Sequence, residues 1–129
     1  MKIERFVLGS LATNSYLIIN EETKEVVIVD PATCPDYLIS RVQSHDYVPK
    51  AILLTHGHFD HVMGIDGWVK HFHIPVYLHE KEKEILADPR QNLSYMFGTQ
   101  YAYDDVRCLK DGEILEIAGF RFKVIHTPG

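Results

Sequence analysis

The run Ala51-Ile52-Leu53-Leu54 carries no polar side chain, and after Thr55 the chain enters His56-Gly57-His58-Phe59-Asp60-His61. A short unbroken apolar run reads as a strand covered on both faces, which requires a sheet between layers. The polar cluster cannot share that burial, so it forms a loop at the strand's end. Imidazole and carboxylate are the donors a zinc-like cation prefers, and one loop can aim several of them at one point. His56 and His58, two apart in an extended loop, can converge on one ion from the same side. Asp60 and His61 are offset from that pair and can hold a second ion. Two cations about 3.5–4 Å apart, sharing a water, generate hydroxide at neutral pH and polarise a carbonyl or phosphoryl oxygen. Gly57 keeps a side chain out of the loop and tolerates unusual dihedrals. Asp60 also precedes a helix expected from near Val62, where a carboxylate caps free amides. Random placement in this composition gives the four-residue pattern roughly once in several hundred such chains.

The flanking sequence predicts an alternating arrangement. Phe6-Val7-Leu8, Ser15 to Ile19 and Val26 to Val29 read as strands, with Asn20 to Lys24 as one turn. A helix is expected to start around Thr33, with Pro35 in its first turn and Leu38, Ile39 and Val42 as its buried stripe. Pro49 ends that connection. A second helix fits Val62 to Phe72, where Val62, Ile65, Val69 and Phe72 recur at spacings of three and four. Pro75 to Leu78 reads as a strand and Glu80 to Leu86 as a charged surface helix. Asp88 to Asp105, rich in Tyr, Asn and Gln, gives no clear element. Ile114 to Ile117 pairs with Phe120 to Ile125 across Ala118-Gly119, and Phe120, Phe122 and Val124 form its drier face. Strands and helices alternate in the middle with a hairpin at the end, which is an α/β pattern.

No repeat, low-complexity tract or linker divides the 129 residues, so residues 1–129 are expected to form one domain. With 46% hydrophobic and 24% charged residues, the composition is that of a soluble globular protein. A net charge of −5 gives no electrostatic reason for nucleic acid or an anionic membrane as partner. No stretch approaches the roughly 20 apolar residues that cross a bilayer. The early mixed charges of Lys2, Glu4 and Arg5 do not resemble a signal peptide. Cys34 and Cys108 are too few for a disulfide framework, although one bridge between them is open, and a reducing cytoplasm is the expected compartment.

Thr55-His56-Gly57-His58-Phe59-Asp60-His61 resembles the H-x-H-x-D-H signature of the metallo-β-lactamase superfamily. Thr13-Asn14-Ser15-Tyr16-Leu17, Val29-Asp30-Pro31, Lys110-Asp111-Gly112-Glu113 and His126-Thr127-Pro128-Gly129 are similar to further stretches of that family. The nearest likeness is to its glyoxalase II-like branch, hydrolases of thioesters such as hydroxyacylglutathione. The resemblance implies a four-layer αββα sandwich, of which this chain supplies the N-terminal part, a mixed sheet with helices on one face. It implies that His56 and His58 bind a first metal and Asp60 and His61 a second. Zinc is the default ion, with iron or manganese also compatible with the donors. Asp60 is in addition expected to take a proton from the nucleophilic water, so it is the candidate catalytic residue.

The resemblance places Asp30 behind the metal loop, orienting a ligand, against the plain alternative of a turn-forming Asp-Pro. The family's next ligand follows the Pro-Gly pair and falls at position 130. His126 is therefore not assigned to the metal. With half of the expected ligands, this chain alone is expected to bind metal weakly and to be inactive. An uncovered sheet face predicts self-association as a homo-oligomer.

Elsewhere His71 and His73 read as surface or helix-capping residues and His79 and His45 as surface residues. Cys34 is expected to be a small buried residue rather than part of the site, and Tyr95, Tyr101 and Tyr103 to fill the core beneath a long loop rather than to line a substrate entrance. The leading expectation is a dinuclear metal hydrolase acting on a small thioester or related acyl substrate. Its rival is a non-catalytic module that binds metal weakly and associates through its sheet. A nuclease is disfavoured by the acidic balance.

Overall fold

The computed structural model describes residues 1–98 and 100–125. The stretch 126–129, one of the family-like segments, lies outside the described residues. In chain order the elements are β1 (Lys2–Leu8), β2 (Thr13–Ile19), β3 (Glu25–Val29), α1 (Asp36–Ser44), β4 (Val48–Leu53), α2 (Ile65–Phe72), β5 (Val76–His79), α3 (Lys83–Ala87), β6 (Arg107–Leu109), β7 (Ile114–Ile117) and β8 (Phe120–Lys123). Short 3-10 turns lie at Phe59–His61, Glu80–Glu82 and Ser94–Phe97. No described helix is long and apolar enough to cross a membrane.

β1 to β6 form one sheet in sequential order, antiparallel from β1 to β3 and parallel from β3 to β6. The register puts Leu17 beside Ile28 and Ile19 beside Val26, and these residues share one core cluster with Leu38 and Val42 of α1 and Ile65 and Trp68 of α2. The helices therefore cover this face. On the opposite face Val27 pairs with Ala51, and both are fully buried. The β7–β8 hairpin comes over that side: Leu115, Phe122 and Val124 line a cavity with Ile18, Val29 and Leu53. Asn20 donates its side-chain amide to the Ala118 carbonyl at 3.0 Å, which pins the hairpin's turn to the sheet. Layers on both faces explain the unbroken apolar run of β4.

Several boundaries differ from the sequence expectation. Pro49 lies inside β4 rather than ending the preceding connection, at a register shift against Val26 and Val27. Such an irregularity is where a strand tolerates a residue without an amide hydrogen. Pro35 caps α1 instead of sitting in its first turn. The helix expected from Val62 begins only at Ile65, after the 3-10 turn at Phe59–His61, and just before it the Gly64 amide donates to the Pro31 carbonyl at 2.7 Å. Glu80 to Leu86 is not wholly a surface helix, since Glu82 and Leu86 are buried. β6 was not anticipated; three residues carry too little periodicity to be read.

Candidate metal centre

The parallel strands β3, β4 and β5 all end at one edge of the sheet, and the polar residues of interest leave from there. This is where open α/β sheets generally bind ligands. Asp30 follows β3 with a left-handed backbone (φ 51°), a conformation that aspartate tolerates better than most residues. Its amide donates to the Leu53 carbonyl at 3.1 Å, and its own carbonyl accepts from the Ser15 hydroxyl at 2.5 Å. The turn is thus held from both neighbouring strands.

Its carboxylate, only 4% exposed, faces the histidine loop. Oδ1 accepts from the Thr55 amide at 2.7 Å and Oδ2 from the Thr55 hydroxyl. Oδ2 also lies 3.0 Å from His61 Nδ1. A carboxylate in that position keeps the Nδ1 proton on the ring and leaves Nε2 as the coordinating nitrogen. His61 Nε2 is 3.4 Å from Asp60 Oδ2. The His61 pKa is raised, first by this hydrogen bond to Asp30, with burial opposing it and the charges of Asp30 and Asp60 adding to it.

The His56 and His58 rings lie nearly parallel, 6° apart, with centroids 6.1 Å from each other, and the His61 ring is 5.4 Å from that of His56. Two imidazoles sharing one zinc through bonds of about 2.0–2.1 Å have ring centres roughly 5 Å apart. The His56 and His58 rings thus stand slightly wider than ligation of one ion requires. Among the described residues no three His, Cys, Asp or Glu side chains converge tightly enough to hold an ion as they stand. The donor set fits a divalent metal: imidazole nitrogens, a partly exposed carboxylate, and one ring already oriented by an acceptor behind it. His56, His58, Asp60 and His61 are the residues that could hold it.

Asp60 does not cap the following helix, as its position had suggested. The residue before α2 is Gly64, without a side-chain cap, and the Asp60 carboxylate instead accepts from the Thr13 hydroxyl at 3.1 Å. Gly57 has no left-handed backbone; its role is room rather than unusual dihedrals. Thr13 and Ser15 belong to a family-like stretch but had no supporting role assigned from sequence, although a signal existed. They occupy the same face of β2 as Leu17 and Ile19, a buried face where hydroxyls require partners.

Other expectations are corrected or located. His79 is buried (8% exposed), not at the surface, because β5 is flanked by β4 and β6. Its Nδ1 accepts from the Lys81 amide at 3.1 Å. His45 is exposed, His71 Nδ1 lies 2.8 Å from the Gly67 carbonyl and His73 ends α2, so these three stand apart from the cluster. Tyr101 and Tyr103 pack against the core, whereas Tyr95 is exposed. Both cysteines are free. A cavity of about 290 Å³ runs from His56 and His79 between the main sheet and the hairpin, lined chiefly by apolar side chains such as Leu53, Tyr77, Leu109 and Phe122.

A family profile described as the metallo-beta-lactamase superfamily matches residues 8–129. The chain is 34% identical to a probable metallo-hydrolase, YqgX, of Bacillus subtilis, over all of this chain and 61% of that protein. It is 31% identical to the hydroxyacylglutathione hydrolase GloC of Haemophilus influenzae, over all of this chain and 62% of that protein. Among solved structures, BLEG-1 B3 metallo-beta-lactamase superposes with a TM-score of 0.88 at 38% identity, covering 99% of this chain and 62% of that one. TTHA1623 in a di-iron-bound form does so with a TM-score of 0.77 at 33% identity, covering 98% and 61%. The chain thus spans about three fifths of the length of these relatives.

Proposed function

The chain belongs to the metallo-beta-lactamase superfamily of metal-dependent hydrolases, and from that membership we propose that its protein hydrolyses a small acyl thioester of the hydroxyacylglutathione kind. His56, His58, Asp60 and His61 are the metal ligands in this reading. The observation that carries it is the contact between Asp30 Oδ2 and His61 Nδ1 at 3.0 Å, which presets one ring for ligation. Divalent ions held there supply Lewis-acid chemistry and make hydroxide available at neutral pH.

Each residue of the chain then has a physical task. Asp30 keeps His61 in the tautomer that exposes Nε2. Thr13 donates to Asp60 Oδ2 and so orients that carboxylate, whose other oxygen accepts the proton from the attacking water. The apolar groove beside His56 suits the uncharged portion of an acyl substrate. The likeness to a hydroxyacylglutathione hydrolase supports the thioester class. Zinc is the default metal, and iron suits the same donors.

Metal analysis of the purified intact protein, with hydrolysis of hydroxyacylglutathione by native, H56A and D60N proteins, tests the reading. About two ions per chain and turnover lost in both variants are expected. A metal-free, self-associated and inactive protein would instead favour the non-catalytic module.

A further inference from the structure

Behind the histidine loop sits a carboxylate to which the reading above gives no task. Glu82 ends the 3-10 turn before α3 and is only 6% exposed. Its Oε1 accepts a hydrogen bond of 3.0 Å from the backbone amide of Gly57, the residue between His56 and His58. The two segments also touch through their backbones. A Cβ at Gly57 would fall 2.9 Å from the Glu82 carbonyl oxygen and 2.9 Å from the Leu86 nitrogen. The histidine loop therefore lies against the Glu82 turn and α3, and only glycine allows that approach. The 3-10 turn has its own cap in His79 Nδ1, which accepts from the Lys81 amide.

We propose that Glu82 is the positioning residue of the metal loop, holding the peptide between His56 and Gly57 so that both histidines face the same ion. The inference rests on the metal-ligand reading of His56 and His58. A backbone amide donating to a buried side-chain oxygen fixes the plane of its peptide. Burial strengthens that hydrogen bond, since neither partner has water as an alternative. The amide so held belongs to the residue separating the two ligands. Fixing its plane fixes the direction in which each ligand leaves the backbone, and the two rings do stand within 6° of parallel. A buried carboxylate is costly unless its hydrogen bonds are made, and a requirement merely to pack α3 would be met by an apolar side chain.

The test is metal affinity by chelator competition, and hydrogen exchange of the Gly57 amide in the metal-free state, for native protein, E82A, E82D and E82Q at full length. E82A is expected to weaken metal binding about ten- to a hundredfold, as loss of a group supporting a ligand does, and to deprotect the Gly57 amide. E82Q keeps an acceptor oxygen in place and is expected to stay within roughly threefold of the native affinity. E82D keeps the charge but withdraws it by one methylene and is expected to follow E82A. Should E82A fail to fold, E82D and E82Q carry the comparison. Unchanged affinity and Gly57 protection in E82A and E82D would overturn the role of Glu82 alone, as would E82Q binding as weakly as E82D. A native protein that binds no ion would overturn both this inference and the metal reading.

Discussion

Asp30 Oδ2 stands 3.0 Å from His61 Nδ1 although 31 residues separate them, and the same carboxylate receives the amide and hydroxyl of Thr55. One buried side chain thus joins the end of β3, the end of β4 and the last residue of the histidine cluster. Ser15 and Thr13 on β2 complete the support, through the Asp30 carbonyl and the Asp60 carboxylate.

Replacing Asp30 with asparagine should therefore act on the metal before it acts on the fold. The amide retains an oxygen for Thr55 but offers His61 a weaker or wrongly matched partner. Metal affinity is expected to fall about ten- to a hundredfold, read by chelator competition. An unchanged affinity in a folded D30N protein would remove the orienting role.

Gly64 should tolerate no side chain. A Cβ there would lie 2.4 Å from the Thr33 carbonyl oxygen and 2.7 Å from that of Pro31, while its amide donates to Pro31 at 2.7 Å. Backbone cannot move aside as a flexible side chain can. G64A is expected to cost about 1–3 kcal/mol in urea unfolding, through overpacking. A variant of native stability would mean that the Pro31–Thr33 turn yields.

Acid should weaken the link between β1 and α1. Arg41 donates to Glu4 through Nε at 3.0 Å and through a second nitrogen, and this pairing lowers the Glu4 pKa below its ordinary 4.5. A lowered folded-state pKa contributes stability that is present above the ordinary value and is lost as pH falls through the folded value. The stability difference between native and E4Q proteins is thus expected at pH 7 and should shrink progressively as pH falls below 4.5, in urea titrations across that range. A difference independent of pH would assign the effect to packing.

Cys34 should resist alkylation. Burial, with Asp36 adding to it, pushes its thiol up to about 11, so the thiolate is scarce at neutral pH. Cys108 is exposed. Iodoacetamide at pH 7.5 is expected to label Cys108 first, with Cys34 following only on denaturation, as peptide mass mapping would record. Equal labelling would show that the turn after β3 opens readily.

The two levels of information divide along sequence distance. His56 to His61 is a local pattern, and so are the alternation of β2 and the three-four spacing of α2; each was legible because neighbours in sequence share one element. The edges were less legible where tertiary contacts overrode local preference. Pro49 was admitted into β4 at a register shift, and the second helix begins at Ile65 rather than Val62, directly after Gly64 bonds to the Pro31 carbonyl. Glu82 read as part of a charged surface helix because its partner, Gly57, lies 25 positions earlier.

By itself the sequence determined the chemistry: three imidazoles and a carboxylate at the end of a buried strand, with donors suited to a divalent metal and a family likeness in the same residues. The same likeness placed Asp30 behind those donors, but only the tertiary structure decided which further groups stand there and how all of them converge. Thr13, Asp30, Thr55 and Glu82 come from β2, the end of β3, the end of β4 and the turn before α3, and no local periodicity links them. Side-chain identity is written in the chain, but convergence of residues far apart in it exists only once the sheet has paired and its parallel strands end together.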